Sequence, residues 1–358
     1  MFVAWRDLRF ARGRFVLIGA VVALITLLVG FLAGLTGGLA SQNVSAVLEL
    51  PGDRLVLQQP ADGRPSFSES TLQAGTVQMW RGAPGVDQVL PVGITQTRAE
   101  AGQTSTPVAA VGLPRSGGPG AVSDLAPSRD GSVGLSADAA DQLGVGVGDQ
   151  IGITGTTYQV AAVGGEAWYS HTPVITMTPD AWTAADERVG GDGAATVLAV
   201  SGDPDWDAVA ETTGTAAKTP LAALTSLETF RSEVGSLGLM VAMLFGISAL
   251  VVGAFFTVWT MQRARDVAVL KALGATTASL VKDALGQAAV VLGAGIATGM
   301  VAVLVLGALA GTALPFLLSP LTTVVPAAAM AVLGLAGAAV ALRTVTSADP
   351  LTALGSAQ

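Results

Sequence analysis

Cysteine is absent from the 358 residues, and histidine occurs once, at His171. The first absence excludes disulfide scaffolds, thiolate metal sites and cysteine nucleophiles. The second leaves no His cluster to hold a metal and argues against a Ser-His-Asp hydrolase. Charge is scarce as well, at 12% of residues against about 25% in soluble domains. The balance is acidic, with a formal net charge of −8, so the basic stripe of a nucleic-acid binder is missing. No G-x-x-x-x-G-K-[ST] occurs, which denies the chain a P-loop for ATP.

What the chain has instead is long runs without charge. Asp, Glu, Lys and Arg are missing from Phe15 to Leu48, from Val234 to Gln262 and from Ala284 to Leu342. A spanning helix needs about 20 apolar residues, so the third run is too long for one span. Pro315, Pro320 and Pro326 interrupt it, which predicts two helices, near 284–313 and 324–342. The expectation is four transmembrane helices, at 15–38, 233–261, 284–313 and 324–342, with a large extracytoplasmic α+β domain at 39–232 inserted between the first two. A cleaved signal peptide, with GLA-SQ near 38–42 as its site, is the alternative for the N-terminus. The apolar part at 15–35 exceeds the usual 7–15 residues, so an uncleaved anchor is expected.

Charge then sets the orientation. From residue 39 through Glu233 there are 9 Lys/Arg against 22 Asp/Glu; the rest of the chain holds 9 against 4. Basic residues beside spans stay in the cytoplasm. Arg6, Arg9, Arg12 and Arg14 therefore place the N-terminus (1–14) inside, and Arg263, Arg265, Lys271 and Lys282 place the 262–283 loop there. Four spans return the tail (343–358), with Arg343, to the cytoplasm, and the loop at 314–323 is outer.

In 39–232, alternating runs bounded by Gly, Pro and Asp predict strands at Arg54–Gln58, Val86–Thr95, Pro107–Leu113, Gln150–Thr154, Tyr158–Val163, Val174–Thr178 and Thr196–Ser201. Helices are expected at Thr71–Trp80, Ser136–Leu143 and Trp206–Thr212, the last capped by Asp203 or Asp205. Leu221–Glu233 reads as a helical stalk running straight into the second span. Asp203-Pro-Asp-Trp-Asp207 lacks the Gly and bidentate Glu of a calcium loop and reads as a turn and cap. His171 reads as a structural or exposed loop residue. No nucleophile–base pair is recognisable, so no enzymatic activity and no metal site are expected. No charge lies within a span, which argues against ion-coupled transport. Gly30, Gly34 and Gly38 lie on one face of the first span at spacing four, a pattern for close helix packing or a dimer interface; Gly295/Gly299 and Gly307/Gly311 repeat it in the third.

The inner loop carries the most specific motif. In Arg263-Ala-Arg-Asp-Val-Ala-Val-Leu-Lys-Ala-Leu-Gly-Ala-Thr276, Val267, Leu270 and Leu273 recur at helical spacing, Gly274 is a stop, and Thr276 or Thr277 opens the next helix. By its charges alone this is a basic interfacial helix. The motif resembles the signature of FtsX-like, or MacB-type (type VII), ABC transporter permeases. The tail Ala348-Asp-Pro-Leu-Thr-Ala-Leu354 is similar to that family's ending, and the four-span layout agrees. Asp266 and Gln287 stand where the family usually or often has Glu.

The resemblance implies a permease homodimer on a dimer of separate ABC ATPase subunits, which would use ATP and Mg. Arg263, Arg265, Asp266, Val267, Leu270, Lys271, Leu273 and Gly274 would then form the coupling helix, in a multi-pass protein of a bacterial cell membrane contacting lipid. Trp5-Arg-Asp-Leu-Arg9 and Phe31–Leu39 look most like the haem-exporting permeases of Gram-positive bacteria. That likeness implies haem as cargo, with no permanently bound cofactor, expelled from the outer leaflet by a mechanical cycle. The donors available near the outer ends of spans one and two are Glu49, Glu228, Glu233, Met240 and Met243. The competing expectation is a permease that transmits motion to an outer cell-wall hydrolase or sensor, or that exports a peptide, antibiotic or lipid.

Overall fold

The computed structural model describes residues 12–115, 121–262, 269, 274, 276–311 and 314–346. It divides into a membrane unit, which runs through Gly38 and resumes at Ser236, and an inserted unit, Leu39–Gly235.

Four helices in the described residues are long and apolar enough to cross a bilayer. They are α1 (Arg12–Leu48), α8 (Glu228–Gln262), α9 (Thr277–Ala310) and α10 (Pro320–Thr346); the short helices of the inserted unit take the numbers between. Ile18, Val22, Val252, Phe256, Trp259, Val291, Leu292 and Met330 form the core where they pack. The last helix starts earlier than the proline rule predicts. Ser319 caps it, accepting from the Thr322 amide at 3.3 Å. Pro320 sits at the first helical position, where no amide is needed. Pro326 lies inside α10 and does not end it; its cost is confined to the Thr322 carbonyl, which loses its partner. At the start of α9, Thr276 is the cap, its hydroxyl accepting from Ser279 N. Gly274 has φ +93°, the left-handed conformation of a helix stop. The other coupling-helix residues, Arg263, Arg265, Asp266, Val267, Leu270, Lys271 and Leu273, lie outside the described residues, as does the tail motif.

The glycines of α1 are filled from within the chain. A Cβ on Gly30 would meet Val303 Cγ2 at 2.7 Å, one on Gly34 the Phe316 ring, and one on Gly38 the Pro315 carbonyl. Gly307 of α9 faces the same Phe316 ring. The Leu317 amide donates to Gly34 O at 3.0 Å. The segment between α9 and α10 is thus docked into a glycine-lined notch.

The inserted unit contains β1 (Arg54–Gln58), α2 (Ala74–Arg81), β2 (Val86–Ala101), β3 (Thr104–Gly112), α3 (Ala121–Leu125), β4 (Ser132–Leu135), α4 (Ala137–Leu143), β5 (Gln150–Ile153), β6 (Thr156–Val163), β7 (Trp168–Tyr169), β8 (Thr172–Met177), α5 (Pro179–Arg188), β9 (Val197–Gly202), α6 (Trp206–Thr213), β10 (Thr215–Lys218) and α7 (Pro220–Ala223). Strand order is β10-β1-β9-β2-β3-β8-β4-β6-β5, and β5 pairs back onto β2. The 16-residue β2 is therefore shared: its first half joins β9 in an antiparallel sheet, and its second half belongs to a ring of strands closed at β5. Ala99, Val108, Ile151, Ile153, Val160 and Ile175 fill that ring.

On the same strand face as Ala99 and Val108, Gly93 and Gly112 are cross-strand partners. A Cβ on Gly93 would enter the indole of Trp182, and one on Gly112 would meet that residue's Cβ and the ring's near edge; Trp182, of α5, is 4% exposed. Two bare backbones make the flat seat on which this helix packs.

The predicted stalk is not one helix. Pro220–Ala223 is helical, Leu224–Ser226 is a 3₁₀ turn, and Leu227 is extended at φ −89°, ψ 116° before α8 begins. Leu224 and Leu227 are buried in the same core as Leu55, Leu57 and Phe67.

Candidate functional site

The sequence-predicted carboxylates of the inserted unit have three different settings. Glu233, in the second turn of α8, has both oxygens engaged. His171 Nε2 lies 2.8 Å from Oε1, and Asn43 Nδ2 donates to Oε2 at 3.2 Å. Asn43 Oδ1 in turn accepts from Thr229 Oγ1 at 2.8 Å, and Thr229 Oγ1 lies 3.2 Å from Ser170 Oγ. The His171 and Ser170 amides donate to the Gln42 and Asn43 carbonyls, both at 3.0 Å. Ser45 of α1 bonds Trp168, accepting from its amide at 2.8 Å. One polar joint thus gathers the end of α1, the β7–β8 turn and the start of α8. The single histidine is structural, as expected of it, but its partner lies 62 residues away in sequence.

Glu228 is exposed and lines a polar depression of about 230 Å³ with Arg64, Glu69 and Arg231. Lys218 nearby donates to Ser226 Oγ at 2.9 Å; burial, and then the Arg64 charge, hold its ammonium below the usual lysine range.

Glu49 sits just past the last residue of α1, and its Oε2 is buried without a partner among the described residues. Burial pushes its carboxyl above the ordinary value, offset in part by the Val122 amide. A raised carboxyl favours the protonated fold, so this group adds nothing below its unfolded value and costs stability as pH rises from there through the folded value. Glu49→Gln is therefore expected to raise the melting temperature at pH 7 and to leave it unchanged near pH 3.5. Melting curves of the purified permease at the two pH values check this; an equal effect at both contradicts it.

Met240 and Met243 stand in the membrane unit, one helical turn apart on α8, 54% and 61% exposed. With Leu239, Ile247 and Leu250, 63%, 53% and 72% exposed, they form an apolar stripe on that helix. A separate apolar groove of about 460 Å³ runs between α1 and α9, lined by Phe15, Gly19, Ala23, Val291 and Gly295 among others. Gln287, in the position noted for Glu, is buried in α9 at 1% exposure and donates to Asp283 Oδ2 at 3.2 Å. Among the described residues no cluster of three His, Asp or Glu side chains could hold a metal ion. Sequence reasoning missed Asn43, Ser170 and Thr229, whose roles depend on contacts made only in the folded chain.

Four apolar helices among the described residues, with a β-rich domain between the first and second, define a multi-pass membrane protein. Residues 238–350 match the family model of the FtsX-like permease C-terminal domain, so the chain carries an FtsX-like permease domain. It is 25% identical over 99% of both chains to a Staphylococcus haemolyticus protein described as hemin transport system permease protein HrtB. A Staphylococcus epidermidis protein of the same description is 22% identical over the full length of both. A Mycobacterium tuberculosis protein, described as an uncharacterized ABC transporter permease, is 27% identical over 99% of both. Among solved structures, the extracellular domain of the transporter YknZ from Gram-positive bacteria is similar at 13% identity and a TM-score of 0.31, covering 48% of this chain and 92% of that one. The periplasmic region of MacB from Actinobacillus actinomycetemcomitans is similar at 10% identity and a TM-score of 0.34, covering 47% and 88%.

Proposed function

We propose that this permease is the membrane subunit of an ATP-driven exporter of haem, or of a similarly flat amphipathic molecule, taken from the outer leaflet. The observation that carries this reading is the similarity to proteins described as hemin transport permeases, which runs the whole length of both chains. ATP is hydrolysed in a separate ATPase dimer, and the permease itself is a homodimer with no enzymatic activity. The 263–274 segment, with Arg263, Arg265, Asp266, Val267, Leu270, Lys271, Leu273 and Gly274, seats on that ATPase. Both termini are cytoplasmic and the inserted unit is outside, following the basic residues.

Met240 and Met243 are the proposed thioether donors for the cargo's iron: they are exposed on one face of α8, and a soft, weak ligand suits a cargo that must leave. Glu49 and Glu228 are the proposed further carboxylate contacts. Glu233 belongs to this set as well, although its engagement by His171 and Asn43 makes it the least available. The test is a haem titration of the purified permease with its ATPase, followed at the Soret band, alongside Met243→Ala and Glu49→Ala. The reading expects a saturable shift, with Met243→Ala binding about tenfold more weakly or more. A shift that grows linearly without saturating overturns it.

A further inference from the structure

Two residues of the inserted unit occupy a conformation that their side chains do not favour. The β7–β8 hairpin closes through a two-residue turn, Ser170–His171, with φ +46° and +64°. Such a turn needs left-handed backbone at both positions, and Asn-Gly is the residue pair that adopts it most readily. The other non-glycine residue with positive φ among the described ones is Thr154. Backbone held in this region over consecutive side-chain-bearing residues marks a place where the side chains themselves are needed. Here each side chain has a use. Ser170 Oγ reaches Thr229 and His171 Nε2 reaches Glu233, both on α8. Both backbone amides serve α1, at Gln42 and Asn43. Removing the two side chains would leave an easier turn that no longer holds α8.

The contacts are also of a kind that opens. His171 and Glu233 side chains are 31% and 34% exposed, and the joint is built of hydrogen bonds that water can replace. The core beside it, by contrast, buries Val44, Val47 and Leu50 of the α1 end against Leu224 and Leu227.

We propose that the Ser170–His171 turn is a latch that holds the start of α8 to the end of α1, and that it opens and recloses once per transport cycle. Opening means loss of the Ser170–Thr229 and His171–Glu233 contacts together with the bonds of Asn43 to Glu233 and Thr229, while the buried α1 core persists. The latch rests on the ATP-driven reading above, and not on haem as the cargo.

The cysteine-free chain allows a direct test in the permease–ATPase complex in proteoliposomes. Ser170→Cys with Thr229→Cys puts two thiols where the hydroxyls now lie 3.2 Å apart. With dissolved oxygen and copper phenanthroline as the oxidant, the latch expects rapid disulfide formation without nucleotide, and about tenfold slower formation during ATP turnover as the closed population falls. It also expects ATP turnover to drop about tenfold in the oxidised protein and to recover on reduction. Cross-linking at one rate with and without turnover, or full turnover in the locked protein, overturns the latch and leaves the transport reading standing. No ATP turnover in the wild-type complex overturns the ATP-driven reading and the latch together. A second variant guards against a misfolded pair. In Ser170→Cys alone, adding Glu233→Gln is expected to speed labelling by a soluble maleimide severalfold, and equal labelling contradicts the latch.

Discussion

Replacing Gly93 with valine is expected to lower the melting temperature of the inserted unit by about 8–16 °C, the shift that about 4 kcal/mol produces in a domain of this size. The Cβ would land inside the Trp182 indole, and the same side chain lies over Gly112 of the paired strand. Neither β2 nor β3 can retreat, because each is hydrogen-bonded on its far side, β2 to β9 and β3 to β8. The indole must leave, which forfeits a buried tryptophan worth about 3–5 kcal/mol when truncated. The two losses are one loss counted twice, so a double-mutant cycle is decisive. Gly93→Val in a Trp182→Ala background is expected to cost less than about 1 kcal/mol more than Trp182→Ala alone, because every atom that a Gly93 Cβ meets belongs to the ring that alanine removes. Full additivity in the melting curves would show that the glycine pair is not the seat of the helix. Gly75→Ala is the control: it lies in α2 with nothing within 4 Å and is expected to stabilise by about 0.5–1 kcal/mol.

The second large effect belongs to the membrane unit. Gly38→Ala places a methyl group on the Pro315 carbonyl and 2.8 Å from the Phe316 amide nitrogen. Backbone cannot swing aside as a side-chain tip does, so the 314–319 segment must lift from α1. That movement withdraws the Phe316 ring from Gly34 and Gly307 and breaks its contact with Phe31, whose centroid is 4.9 Å away. Close approach over small residues is a main source of helix association in a bilayer, where burial away from water supplies none. A loss of about 3–5 kcal/mol is expected, read as a collapse of the monodisperse fraction in detergent at 37 °C. Gly286→Ala, with open space around it, is expected to behave as wild type, and parity between the two variants would contradict the docked segment.

The glycine face of α1 was legible as a packing surface from its spacing, but its partner was not. Nothing local ties Gly38 to Pro315, 277 positions away. Strand patterning found β1 at its bounds because the short apolar run Leu55–Leu57 has a polar residue on each side and is bracketed by Pro51-Gly52 and Pro60. β4 escaped because all four residues of SVGL are buried, which removes the period-two signal. α5 escaped although Thr178 and Pro179 supply a cap and a first-turn proline; its apolar positions are mostly alanine, and Trp182 finds its reason only in two distant glycines. Asp205 as a cap was readable because that bond is local, to Ala208 N. In the candidate site, Met240 and Met243 could be selected by residue type and position. The occupation of Glu233 could not, since it depends on a turn far along the chain.

As proposed above, ATP drives haem out of the membrane through this permease. Proteoliposomes carrying the permease with its ATPase, loaded with haem and bathed in apomyoglobin, test it through the rise in holomyoglobin absorbance. The account predicts ATP-dependent haem release severalfold above the nucleotide-free rate, strongly reduced by Met243→Ala while ATP turnover continues. Robust ATP turnover with haem release no faster than in its absence would contradict it.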